Sequence, residues 1–352
     1  MDSSVKRRLT LGFIVNWVAR LTSTIIQLIQ VPVFLHFWST PLYGEWMIVN
    51  SIPNYLSFSN IGFGTVAGNE MTMMVARDDR ASALRVFQSC WWLISLICTA
   101  TVVALIGALY SLPAARLLKL THISESDTKW IIFYLGVSVL FGQLEGLLQA
   151  AYRSIGRYPY GTFVKNLLAL AAFGCMILTV VFGGGARVTA LVFAIANVAS
   201  TLLLCIMVRH DIPWVEYGWA HASFDEIRRL VRPAIAFMGF PLGNAFNLQG
   251  TLLAVSYALG PVAVVVFGTA RTVSRVALQM VSMVNSTFEP ELSLAYGARN
   301  YPLTRSLLRR ACQLALVVAV AIVLVVMTAG PWFLNHWTGG HVPPSRGLLN
   351  IL

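Results

Sequence analysis

Charge is scarce in this chain. Of its 352 residues only 11% are charged, with 14 acidic side chains against 25 Lys and Arg, whereas soluble domains carry roughly 25%. That excludes an ordinary soluble globular domain. Cysteine is scarce as well: the five, Cys90, Cys98, Cys175, Cys205 and Cys312, all lie in apolar stretches. An odd number without metal-ligand spacing excludes a disulfide framework and a metal site, and leaves small core residues. The histidines (His36, His122, His210, His221, His336 and His341) are too scattered for a ligand set. The P-loop pattern G-x-x-x-x-G-K-[ST] is missing, which excludes ATP hydrolysis by that route. A large outer loop is missing too, and its absence argues against a polysaccharide polymerase or a glycosyltransferase. Asp78-Asp79 sits between Arg77 and Arg80 and reads as a solvated charge cluster rather than a metal-binding pair. The opening MDSSVKRR leads into a long span with no small-residue cleavage site, so the first helix is expected to be retained. Neither a cofactor nor an enzymatic activity is expected.

What the chain does have is hydrophobicity, at 57% of residues. Runs of the ~20 residues needed to cross a bilayer fall near 11–37, 44–67, 86–109, 130–151, 162–183, 187–208, 234–258, 261–287 and 309–329. The fold class is therefore an all-α polytopic membrane protein. Lysine and arginine set its orientation. With the N-terminus inside, the inner segments hold Lys6, Arg7, Arg8, Arg77, Arg80, Arg85, Arg153, Arg157, Lys165, Arg209, Arg228, Arg229, Arg232, Arg299, Arg305, Arg309 and Arg310. The outer segments hold only Arg116, Lys119, Lys129, Arg187 and Arg346. This bias places the N-terminus in the cytoplasm and accounts for the net charge of +11 without nucleic acid as a partner.

The pattern repeats. Pro41 recurs as Pro261, Glu70 as Glu291, Arg77 as Arg299 and Cys90 as Cys312, all about 220 residues apart. Gly44 and Gly268 follow the two proline turns, though not in strict register. Two six-helix lobes in parallel orientation are expected, as in many transporters. The expected boundaries are a first lobe at 1–208, a linker at 209–233 and a second lobe at 234–352. That second lobe would be truncated after about nine spans, the mark of a partial product. In the linker, Ser223 and Glu226 have capping-box spacing. Phe224, Ile227, Leu230 and Val231 form an apolar face opposite Arg228, Arg229 and Arg232. Both an interfacial amphipathic helix and a plain connector fit that pattern.

Polar residues line certain spans. The first carries Asn16, Arg20, Ser23, Gln27 and Gln30, which step by four and three and so share one helix face. An arginine near the bilayer centre costs at least ~2.5–3.5 kcal/mol and should face a bundle interior or a wet cavity. An inter-helix hydrogen-bond seam with a snorkelling arginine is the other reading. Span two offers Asn50, Asn54 and Ser57 around Pro53, and span four offers Tyr134, Ser138, Gly142, Glu145 and Gln149. Span seven offers Asn244, Asn247 and Thr251, and span eight Gly268, Arg271, Arg275, Gln279 and Ser282. Spans three, five, six and nine read as plain scaffold. Arginine recognises phosphate by forked hydrogen bonds, so an anionic, sugar-rich substrate is expected at Arg20, Gln27, Asn50, Asn54, Arg271 and Arg275. Glu145 is either a protonatable coupling site or the structural partner of an arginine.

The N-x-x-x-R of span one, the P-x-Y-G-E-W turn at 41–46, the S-I-P-N-Y-L run at 51–56 and Asn69-Glu70 resemble bacterial polysaccharide-unit flippases. These belong to the multidrug/oligosaccharidyl-lipid/polysaccharide exporter superfamily, with the O-antigen flippases and the lipid II flippase. The resemblance implies a V-shaped pair of six-helix lobes in the bacterial inner membrane. They would move an undecaprenyl-diphosphate-linked oligosaccharide outward by alternating access, with H+ or Na+ as coupling ion and polysaccharide polymerase machinery as partner. It places Arg20 where the lipid II flippase has a first-helix arginine, and Glu45, as a second coupling residue, where that relative has an aspartate. Arg271 or Arg275 falls near its eighth-span arginine. Ser57 stands where its second-helix arginine would be, a departure that sets this chain apart from lipid II transport. A small-molecule exporter of the same superfamily is the alternative.

Overall fold

A computed structural model describes residues 3–56, 63–275, 278–279 and 301–340. Their regular structure is all helix, with no strand among the described residues. The first helix, α1 (Ser3–Phe37), ends at a short turn where the Ser39 hydroxyl accepts from Leu42 N and opens α2 (Thr40–Tyr55), with Pro41 in its first turn. That is a regular N-cap with a proline where no N–H is needed. Span two was expected as one helix over 44–67. Within it the structure describes α2 to Tyr55 and α3 (Phe63–Ala76); positions 57–62, Ser57 among them, lie outside the described residues. Asp79 caps α4 (Arg80–Ser111) by accepting from Ser82 N at 3.0 Å. The short α5 (Ala114–Leu117) leads to α6 (Glu125–Ser154), capped by Ser124 with Glu125 and Asp127 in its first turn, where carboxylates complement the helix dipole. Then follow α7 (Tyr158–Val181) and α8 (Ala186–Asp211). Helices α4, α6, α7, α8 and a stretch of the last helix are long and apolar enough to cross a membrane.

Helix α9 (Phe224–Ala245) starts in the expected linker, runs without a break through position 233 and passes by a π-helical turn (Phe246–Gly250) into α10 (Thr251–Leu259). Ile227 and Leu230 are buried and Phe224 is exposed, and Leu230 joins the core of α3, α4, α6 and α8 around Phe63, Met71, Phe87, Leu147, Tyr152 and Leu204. Two buried polar residues of α4 hold the preceding loop. Gln88 donates to Glu216 O at 3.1 Å and accepts from His221 N at 2.7 Å, while Ser89 Oγ accepts from Ser223 N at 2.9 Å. These bonds satisfy loop backbone that would otherwise be buried bare. Residues 261–275 form α11, and α12 (Tyr301–Trp337) is the last described helix. The repeat positions Glu291 and Arg299 lie outside the described residues. All five cysteines are free thiols: Cys90 is buried as expected, but Cys175 and Cys312 lie on exposed helix faces.

One compact unit comprises Met1–Thr22 and Phe37–Val264, the other Ser23–His36 and Val265–Leu352. Within the first unit the starts of α2 and α11 touch. A Cβ at Gly44 would stand 2.1 Å from the Pro261 carbonyl oxygen, so only glycine admits this approach. Behind it Ile48, Leu252 and Val264 form a small buried cluster. Gly44→Val is therefore expected to lower the thermal midpoint of the purified protein, since overpacking costs about 1–3 kcal/mol and here the obstacle is backbone. Gly142→Ala, which meets nothing within 4 Å, is the control and should be neutral or slightly stabilising.

Candidate functional site

Helical period puts Gly268, Arg271, Arg275 and Gln279 on one side of the eighth span, and segment 261–279 contains no Asp or Glu. The guanidinium of Arg271 lies 5.1 Å from the centre of the Phe267 ring, one turn back, and both arginines are half-buried. Gln279, one turn past Arg275, accepts from the Thr24 hydroxyl of α1 at 2.5 Å. On α1, Gln27 donates to Ser23 Oγ at 3.3 Å, and Leu28 O accepts from Trp337 Nε1 at 2.7 Å. The second unit thus joins the polar stripe of span one to that of span eight. Thr24 and Gln279 make the joint. Gln279 was among the residues expected there; Thr24, although one turn from both Arg20 and Gln27 and so beside the expected polar stripe, was not.

The first unit holds the remaining expected residues in separate places. Asn54 donates back along α2 to Asn50 O at 2.9 Å, and both are half-buried. The side chain of Arg20 lies outside the described side chains. Asn244, Asn247 and Thr251 share an exposed face across the π-helical turn, a distortion that recurs at functional sites.

Glu45 is fully buried, and its carboxylate is occupied. Oε1 accepts from Thr121 N at 2.6 Å, Thr121 Oγ1 at 3.0 Å and His122 N at 2.9 Å; Oε2 accepts from His122 N at 3.0 Å and Ile123 N at 2.8 Å. Consecutive backbone amides converging on one anion form a nest. The position is that of an anchor for the loop that enters α6. Sequence resemblance had offered it as a coupling group. In the structure it is the counterpart of three consecutive N–H groups, those of Thr121 and His122 part-buried and that of Ile123 buried.

Glu145, on α6, meets two partners within the first unit. Its Oε2 is 3.5 Å from Lys165 Nζ of α7, and its Oε1 accepts from Thr201 Oγ1 of α8 at 3.2 Å. Spans five and six, expected to be plain scaffold, therefore each bring a polar group to this carboxylate. Lys165 had been counted with the cytoplasmic segments, being only three residues into the expected span of 162–183. The helix begins at Tyr158, which places Lys165 roughly 10 Å along it. The side chain of Asn197, one turn before Thr201, donates back to Phe193 O at 2.8 Å, and Asn197 O accepts from Thr201 Oγ1 at 3.1 Å. At the far end of these helices, Asn69 accepts from Arg153 at 3.4 Å and Glu70 pairs with Arg229 at 3.2 Å. Such exposed contacts orient helices and contribute about 0–1 kcal/mol. Among the described residues no three His, Cys, Asp or Glu side chains gather. Asp78 pairs with Arg80 at 3.8 Å, both highly exposed, while Asp79, as the α4 cap, has its carboxyl held below the usual range by its bonds to Ser82.

No protein-family model and no curated protein matches the sequence. Solved structures do. An inward-facing multidrug resistance MATE family transporter of the MOP superfamily matches with a TM-score of 0.69 over 93% of this chain and 78% of that one, at 14% identity. An outward-facing transporter of the same description matches with a TM-score of 0.61 over 95% and 75%, at 15% identity. A MOP superfamily transporter from Pyrococcus furiosus, described as having a binding pocket of reverse polarity that suggests a different function, matches with a TM-score of 0.57 over 97% and 74%, at 16% identity. The chain has the fold of these transporters: a multi-pass, all-α membrane architecture.

Proposed function

We propose that this chain is a membrane flippase that carries an undecaprenyl-diphosphate-linked oligosaccharide from the cytoplasmic to the outer leaflet by alternating access. The observation that carries the reading is the pair Arg271 and Arg275, one turn apart in a spanning segment without a single acidic residue. Two adjacent guanidinium groups repel each other and are costly in a membrane. An anion with several phosphate oxygens offsets that cost, because each guanidinium can bind two oxygens at once. The amides of Gln27, Asn50 and Asn54 supply the hydrogen bonding that sugars require, and Arg20 continues the stripe of α1. Glu145 is the coupling candidate for H+ or Na+, with Lys165 and Thr201 as its partners. The protein would work in the bacterial inner membrane with its N-terminus inside, next to polysaccharide polymerase machinery.

The similar folds include multidrug transporters, so the competing reading is a small-molecule exporter. Purified protein in proteoliposomes separates the two. A fluorescent undecaprenyl-diphosphate-linked disaccharide is expected to change leaflet, whereas ethidium, a small organic cation, is expected not to be moved. Export of ethidium with no movement of the lipid would overturn the proposal. Orientation is checked in cells: single cysteines at Ser124 and Gly184 should react with an impermeant maleimide from outside, and those at Arg80, Arg157 and Asp225 should not.

A further inference from the structure

The Glu145–Lys165 pair is unequal. The Lys165 side chain is 41% exposed and that of Glu145 only 16%, while Thr201 behind them is 1% exposed. Hydroxyl, carboxylate and ammonium are thus layered from the interior of the bundle outward, with the cation on the open side. At 3.5 Å the contact is a single loose one, and an ammonium has three protons to offer. Nor is the bridge what holds α6 to α7. Gln149 donates to Gly161 O at 2.9 Å, and a Cβ at Gly161 would lie 2.8 Å from the Tyr152 ring, so the two helices already meet closely one turn away. The same seam leaves Gln149 Oε1 and Asn166 Nδ2 buried without a partner among the described residues. A lysine left half-open in a spanning helix, with its counter-ion on its inner side, is arranged to exchange that counter-ion.

We infer that Lys165 is an anion-receiving residue of the transport path and that Glu145 is its resident counter-ion, displaced when the diphosphate of a lipid-linked substrate arrives. The inference rests on the proposed anionic substrate and adds to it a second cationic contact, in the first unit. The acid then works against binding at Lys165, so neutralising it should strengthen the anion's hold. A purely structural bridge predicts the opposite.

The probe is farnesyl diphosphate, a short lipid diphosphate, added to the protein in phosphatidylcholine nanodiscs. Lys165→Gln is expected to weaken binding about tenfold or more, the worth of one charge-assisted contact. Lys165→Arg should stay within about threefold of wild type, and Glu145→Gln should bind more tightly than wild type. Unchanged affinity in Lys165→Gln, or weakening in Glu145→Gln to match it, overturns the inference. Absence of binding by the wild-type protein instead overturns the proposed function beneath it. Amine acetylation of the wild-type protein needs no variant: farnesyl diphosphate should protect Lys165, read by peptide mass spectrometry. Equal protection by phosphatidylglycerol alone would assign Lys165 to bulk lipid headgroups and overturn the assignment.

Discussion

Replacing Glu45 by glutamine should remove folded protein rather than produce a folded protein that fails to transport. The carboxylate is 0% exposed and accepts from three consecutive backbone N–H groups and one hydroxyl. Hydrogen bonds to a charged acceptor are worth about 1.5–3 kcal/mol each, and a buried donor left bare costs about 1–3 kcal/mol. Glutamine matches the shape but not the chemistry. One of its two ends is an NH2, which turns donors toward the N–H groups of His122 and Ile123. A loss of at least about 3 kcal/mol follows even if the bonds are far from additive, a large part of the ~5–15 kcal/mol that holds a typical domain. Aspartate is a methylene too short to reach all three amides and should fall between. The measurement is the monodisperse fraction of each variant after detergent extraction, with its thermal midpoint. A Glu45→Gln protein recovered at the wild-type level and midpoint, yet inactive, would restore Glu45 to the coupling role that the resemblance suggested.

Arg271→Ala and Arg275→Ala should each abolish lipid transport while leaving membrane insertion intact. A bidentate guanidinium–phosphate contact is charge-assisted, and its loss weakens binding by about ten- to a hundredfold. Lysine at either position should recover part of the activity, because a point charge attracts the diphosphate but cannot grip two oxygens. The structural alternative for Arg271 is its stacking on Phe267 at 5.1 Å, worth about 0.5–2 kcal/mol at a half-buried site. That role predicts a modest loss of stability and full transport at matched protein level. It also predicts that Phe267→Leu mimics Arg271→Ala. The readout is surface polysaccharide in cells carrying each variant, normalised to protein in the membrane. Activity retained in both alanine variants would end the phosphate-binding assignment.

Much of the scaffold was legible without coordinates, because it follows from local rules. Scarcity of charge and long apolar runs require helices that satisfy their own backbone in lipid. A period of 3.6 residues puts Arg271, Arg275 and Gln279 on one face, whatever the rest of the chain does. What a side chain meets across a helix interface is another kind of quantity. It depends on which faces of two helices distant in sequence are turned together, and no local pattern encodes that. So Glu145 was left between coupling and an arginine partner, and packing gave it Lys165 and Thr201. Glu45 looked like a second acid of the pathway, and the 121–123 amides, 76 to 78 residues away, made it an anchor. Gly44 read as an ordinary helix start until Pro261 came within 2.1 Å of the Cβ it lacks. Sequence determined the helices and their polar faces, since both are properties of one segment and its solvent. Tertiary structure alone decided the partners of the charges, since a buried charge is defined by the groups that surround it.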